Sequence, residues 1–125
     1  MGHDRTLVLV VDDDEDICGA LEEALTLLGF RVATAGHGAA ALEWLEHARE
    51  LPAAILLDIM MPVMDGIQLG HELRADPRFA SIPVIVLTAR ADADAIAAEL
   101  HAKRVVRKPI QLLTLKNVIT DVVTA

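Results

Sequence analysis

Three carboxylates, a hydroxyl and an ammonium are the groups in this 125-residue sequence whose types and placing could do chemistry: Asp12, Asp13, Asp58, Thr88 and Lys108. Each stands at or just beyond the end of a short apolar run. Carboxylates brought together repel one another unless a cation sits among them. An all-oxygen donor set suits Mg²⁺ or Mn²⁺ better than zinc. A divalent ion held by a few carboxylates keeps open water positions and is the usual partner of a phosphoryl group. Lys108 then offers a point charge, and Thr88 a hydroxyl donor, to phosphoryl oxygens. A carboxylate beside a metal can itself be the nucleophile that forms an aspartyl phosphate. Asp58 is the candidate, because it stands alone at the end of a central run.

The elements that must position these groups follow from the alternation of apolar runs with helical patterns, the signature of an α/β domain with a parallel sheet. Leu7 to Val11 is a first strand ending at Asp12. Ile17, Leu21, Ala24, Leu25 and Leu28 repeat at helical spacing, with Gly29 as a C-terminal stop. Phe30 to Ala35 is a second strand, followed by a turn at Gly36 and Gly38. Ala41, Leu42, Leu45 and Ala48 mark a second helix closed by Leu51-Pro52. Ala53 to Leu57 is a third strand, apolar throughout as expected of one covered on both faces, and it ends at Asp58. A loop rich in Met, Pro and Gly leads to a helix from Ile67 to Arg74, broken at Asp76-Pro77. Ile82 to Leu87 is a fourth strand ending at Thr88, and Asp92 to Leu100 is helical. Val105 and Val106 form a short fifth strand near Lys108-Pro109, and residues from Leu112 to Val123 make a last helix with one apolar face. Ligands of an open parallel sheet bind outside the carboxyl ends of its strands. All five candidate residues therefore fall on one edge.

Composition narrows the classes. The length leads to the expectation of one domain, 1–125, without an output domain, and the sequence shows no internal repeat or linker. Hydrophobic residues make up 54% of the chain, enough to build a core, and the formal charge of −8 argues against direct binding of nucleic acid. Cys18 is the single cysteine and cannot form an intramolecular disulfide. The first apolar run is too short for a signal-peptide core, and no run approaches a bilayer span. The expectation is a cytoplasmic protein with no membrane partner.

The acidic pair after the first strand, Asp58 with Met60-Met61-Pro62-x-Met64-Asp65-Gly66, Thr88-Ala89, and Lys108-Pro109 together resemble the receiver domain of bacterial response regulators. The resemblance covers almost the whole chain in the family's order. It implies a flavodoxin-like (βα)5 three-layer fold with a five-stranded parallel sheet in the order 2-1-3-4-5. Asp58 would be the phosphoacceptor. Asp13 would bind Mg²⁺ directly, with Asp12 acting indirectly and Met60 giving its backbone carbonyl. Thr88 would be the switch hydroxyl, Ala89 would leave the phosphoryl group accessible, Lys108 would pair with it, and a cis peptide bond would precede Pro109. The phosphoryl donor would be a sensor histidine kinase or a histidine phosphotransfer protein. An unknown downstream protein would read the helix 4–strand 5–helix 5 face. The protein would be a monomer or weak homodimer that catalyses only its own phosphorylation and dephosphorylation, with Met60 and Arg90 tuning the rates.

The sequence departs from the family pattern in its readout. Val105 stands where an aromatic residue is usual, Ile110 follows Pro109 where an aromatic is frequent, and His101-Ala102-Lys103-Arg104 replaces a Gly-Ala-Asp-Asp stretch. The segment from Thr88 to Lys108 is shorter than is common, which suggests a trimmed fourth helix or loop. These departures motivate a second reading, a receiver that acts as a phosphorylation-independent interaction module. A third is a small phosphohydrolase with its nucleophile at Asp12, for which the chain is short and the residues after Asp14 are wrong.

Plainer explanations account for other residues. Asp12, Asp14 and Asp16 with Glu23 approach a calcium loop, but Ile17 stands where Gly is needed and a strand precedes, not a helix. Asp14, Glu15 and Asp16 fit the first turn of a helix, where the dipole favours negative charge. Asp65-Gly66 reads as turn and cap chemistry. His3, His37, His47, His71 and His101 show no metal spacing and read as surface or loop residues. Cys18 reads as a small packed residue, and Trp44 as partly buried against the core.

Overall fold

A computed structural model describes residues 6–59 and 65–124 of the chain. The described residues form ten elements in strict alternation: β1 (Leu7–Val11), α1 (Glu15–Leu27), β2 (Arg31–Ala35), α2 (Gly38–His47), β3 (Ala54–Asp58), α3 (Gly66–Ala75), β4 (Val84–Thr88), α4 (Ala93–Leu100), β5 (Arg104–Arg107) and α5 (Leu112–Thr124). The strands make one parallel sheet in the order β2-β1-β3-β4-β5. This is the flavodoxin-like arrangement expected from the sequence.

Alternation along each strand divides the core in two. Leu9, Val11, Ile55, Leu57, Val84 and Val86 face α2, α3 and α4. Val8, Val10, Leu56, Ile85 and Leu87 face α1 and α5. Helices cover both faces because β1 to β2 runs one way along the sheet and every later crossover runs the other; right-handed crossovers then send α1 and α2 to opposite sides. Burying each large aliphatic side chain contributes about 1.5–3 kcal/mol, so these two clusters outweigh the surface ion pairs.

Local chemistry sets the element ends. The Asp14 carboxylate caps α1 by accepting from the amides of Asp16 and Ile17 at 2.9 and 3.2 Å. Asp14 thus precedes the first turn, where Glu15 and Asp16 stand, and its carboxylate serves the helix and not a calcium loop. After α1 the chain reverses at Gly29, whose φ of 100° is readily reached only without a side chain. Gly38 lies inside α2, not in the preceding turn, because the His37 ring accepts from the Ala40 amide and starts the helix there. The third strand runs one residue later than expected and takes in Asp58, and the fourth begins at Val84, after Pro83. Trp44 is half-buried against the α2–α4 core, as expected. At eight residues, α4 is the shortest helix among the described residues.

No helix of the described residues is long and apolar enough to cross a membrane.

Candidate functional site

The order β2-β1-β3 makes β1 and β3 neighbours from which the chain departs in opposite directions. A crevice opens at their carboxyl ends. Val11 pairs with Leu57 in the register, so Asp12 and Asp58 emerge side by side. Asp58 pairs with Leu87 and Thr88 with Arg107, which sets Thr88 one step beyond Asp58 and Lys108 one step beyond Thr88. The Lys108 amide donates to the Thr88 carbonyl at 3.0 Å and fixes that last step. The bond between Lys108 and Pro109 is cis, as the resemblance implied.

Asp12, Asp58 and Thr88 are 1%, 3% and 1% exposed, and they are the buried polar residues of the described chain. Burying two carboxylates requires compensation. Lys108 supplies part of it: its Nζ lies 3.5 Å from Asp12 Oδ2 and 3.4 Å from Asp58 Oδ1. The other Asp12 oxygen, Oδ1, accepts from the Asp14 amide at 2.9 Å. The Thr88 hydroxyl accepts from the Arg90 amide at 3.1 Å. Asp13 is exposed at the mouth. Together these residues line a cleft of about 430 Å³ with Ile17, Ala89 and Arg90.

Carboxylate oxygens of Asp12, Asp13 and Asp58 lie within 4.8 Å of one another. Three carboxylates facing one ammonium leave an excess of negative charge, and the donors are all oxygen. That set fits a hard divalent cation such as Mg²⁺. Met60, expected to add its carbonyl, lies outside the described residues, as do Met61, Pro62, Met64 and His3.

Gly66 matters more than its sequence neighbourhood indicated. Its amide donates to the Ile59 carbonyl at 3.0 Å. A β-carbon there would collide with the Asp58 carbonyl oxygen and lie 2.7 Å from the Ile59 α-carbon. The start of α3 is therefore pressed against the peptide that carries Asp58, while Asp65 caps the helix by accepting from the Gln68 amide at 2.8 Å. Asp-Gly before a helix signalled the cap; the close approach left no trace in the sequence.

The remaining candidates stand apart from the cleft chemistry. Cys18 is buried with its thiol on the Asp12 carbonyl at 3.2 Å, and burial, with the nearby Asp12 charge, pushes its pKa up to about 11. The thiol is thus protonated and inert at neutral pH. His47 and His71 bond to the Glu43 carbonyl and the Glu99 carboxylate, at 2.9 and 2.8 Å. His101 ends α4 in the left-handed region at φ 55°. Val105 is half-buried against the α2–α4 core.

Comparison with known proteins agrees with this geometry. Residues 8–120 match the response regulator receiver domain family. The transcriptional regulatory protein PrrA of Mycobacterium tuberculosis is 50% identical over 95 residues, which are 76% of this chain and 39% of that protein. The chain therefore spans well under half of this relative's length. A putative response regulator from Chloroflexus aurantiacus superposes with a TM-score of 0.88 at 28% identity, covering 97% of this chain and 99% of that one. The receiver domain of the sensor histidine kinase PA1611 of Pseudomonas aeruginosa, described with a magnesium ion coordinated in its active site cleft, gives 0.85 at 27% identity, covering 96% and 98%. Receiver domains are signalling modules that interact with histidine kinases or phosphotransfer proteins, and this chain belongs to the response regulator receiver family of two-component systems.

Proposed function

We propose that Asp58 is the phosphoacceptor of this receiver, with Lys108 and Thr88 as its partners, Asp13 and Asp58 as the side-chain ligands of Mg²⁺ and Asp12 assisting indirectly. The observation that carries the reading is the Lys108 ammonium, poised within 3.5 Å of both buried carboxylates at the switch point of the sheet. An Asp58 oxygen attacks the phosphorus of a phosphohistidine; a P–O bond forms, the P–N bond breaks, and the imidazole leaves and takes up a proton. Bound Mg²⁺ would supply electrostatic stabilisation of the charge on the transferring group. Lys108 then turns from Asp12 and Asp58 toward the phosphoryl oxygens, which replace the carboxylate charge it faces. The Thr88 hydroxyl can donate to the same oxygens, since its contact with Arg90 uses only its acceptor capacity. Exposed Ala89 places no bulk over the cleft mouth, leaving room for a donor and later for hydrolytic water.

The donor in this reading is a histidine kinase or histidine phosphotransfer protein, and the domain resets by hydrolysis of its own acyl phosphate. The test is intact mass after incubation with a small phosphodonor and Mg²⁺. Wild type should gain one phosphoryl group, with none in chelator and none in Asp58→Asn. An adduct that persists in Asp58→Asn would move the nucleophile elsewhere, Asp12 first. No adduct in wild type would favour a receiver that works by interaction alone.

A further inference from the structure

The residues between β4 and α4, 89–92, border the cleft and are held by a run of polar contacts that starts at Thr88 and ends on β5. The Arg90 amide donates to Thr88 Oγ1 at 3.1 Å. The Arg90 carbonyl in turn accepts from Arg107 Nη1 at 2.9 Å. The same guanidinium lies 3.8 Å from Asp94 Oδ2, in the first turn of α4. The Arg107 backbone is held in place, because it pairs with Thr88 in the sheet and the next residue donates its amide to Thr88. One side chain thus touches the loop and the helix that follows it, from a strand that cannot easily move.

The rest of the loop is tied by an ion pair of its own. The Arg90 guanidinium bonds both oxygens of Asp92, at 2.9 and 2.8 Å, and Asp92 makes no side-chain cap bond to α4. The start of α4 is thus held by these arginine contacts together with the Ile96 amide, which donates to the Asp92 carbonyl at 3.1 Å. Val105, the half-buried residue of β5 on this side, offers only hydrocarbon and cannot follow a hydroxyl.

We infer that Arg107 is a positioning residue that couples Thr88 to α4. The inference rests on Asp58 being the phosphoacceptor. When the Thr88 hydroxyl shifts toward a phosphoryl group on Asp58, either its bond from the Arg90 amide breaks or residues 89–92 follow. If they follow, the Arg90 carbonyl moves against Arg107, and the guanidinium carries the change to Asp94 and the first turn of α4. The Arg107 contacts are exposed, with Asp94 88% so, and losing one changes the balance of arrangements by about two- to tenfold and leaves the fold intact.

Amide ¹H–¹⁵N spectra with and without Mg²⁺ and fluoroberyllate test this in wild type, Arg107→Ala and Arg107→Lys. Wild type should show shift changes at Thr88 and Ala89 and also at Asp94 and Ile96. Arg107→Ala should keep the response at Thr88 and Ala89 but lose roughly half or more of that in α4. Arg107→Lys, which keeps one donor for the Arg90 carbonyl, should recover part of it; a purely structural role predicts no such graded rescue. An α4 response in Arg107→Ala equal to wild type overturns the coupling, as does a wild type in which α4 does not respond. Silence at Thr88 and Ala89 in all three proteins instead overturns the phosphoacceptor assignment, and the inference with it.

Discussion

The Lys108 ammonium lies 3.4 Å from Asp58 Oδ1, holding by charge a carboxylate that the sheet has removed from water. The same ammonium is 3.5 Å from Asp12 Oδ2, so one cation serves two buried anions. The arrangement is unsaturated: Asp13 adds a third carboxylate at the mouth. A site with surplus negative charge at rest is one that a divalent cation and a phosphoryl group can enter together.

Charge balance in the cleft should be visible in stability. Lys108→Ala leaves Asp12 and Asp58 buried without this counter-charge and should cost about 2 kcal/mol in metal-free buffer, less than a fully buried pair because Lys108 is partly exposed. Added Mg²⁺ should raise the thermal midpoint of wild type. Asp13→Asn should raise metal-free stability by about 1 kcal/mol or less and reduce the gain on adding Mg²⁺. Urea denaturation with MgCl₂ and with chelator measures all three. A Lys108→Ala protein as stable as wild type without metal would refute the compensation described here.

Two glycines of α3 should respond unequally to the same change. In Gly66→Ala the new methyl group meets the backbone of Asp58 and Ile59, which cannot yield without displacing Asp58. The expected loss is about 2 kcal/mol, with a lower yield of phosphoryl adduct under native conditions. In Gly70→Ala the nearest atoms are side-chain carbons of the buried Leu100, both methyl carbons at 2.8 Å and Cγ at 3.1 Å, so a side chain and not the backbone has to shift. A helix-interior glycine also costs about 1 kcal/mol relative to alanine, which offsets part of the overpacking, so Gly70→Ala should lose less than Gly66→Ala. Equal losses at the two positions, measured by urea denaturation, would contradict the backbone argument.

A surface cluster supplies a pH dependence. Arg78 Nη2 bonds Glu46 at 2.5 Å and Asp76 at 2.6 Å, joining the end of α2 to the turn after α3, while its guanidinium carbon lies 4.7 Å from the Phe79 ring centre. Hydrogen bonds from Arg78 hold both carboxyls below their ordinary range. Because the folded pKa values are depressed, this contribution is complete above the unfolded values, near pH 4, and fades as pH falls through the folded ones. Arg78→Met should therefore lower the thermal midpoint at pH 7, and the difference from wild type should shrink below about pH 4. A gap that stays constant down to pH 3 would assign the effect to packing on Phe79.

Much of this protein was legible in its residues. Apolar runs of strand length alternating with amphipathic stretches determined an α/β fold, because period-two and helical patterns bury different faces. The same reading placed Asp12, Asp58, Thr88 and Lys108 at strand ends, and a parallel sheet sends all such ends to one edge. Tertiary structure decided what no local pattern encodes. The register set Asp12 beside Asp58 and Thr88 one step further on. Packing of α3 against the Asp58–Ile59 peptide turned Gly66 from a turn residue into a requirement of the site. Arg107, an ordinary exposed cation in the sequence, became a link to the Arg90 carbonyl only when β5 was laid beside β4. Periodicity is a property of neighbours along the chain, and these contacts join residues that only the folded sheet makes neighbours.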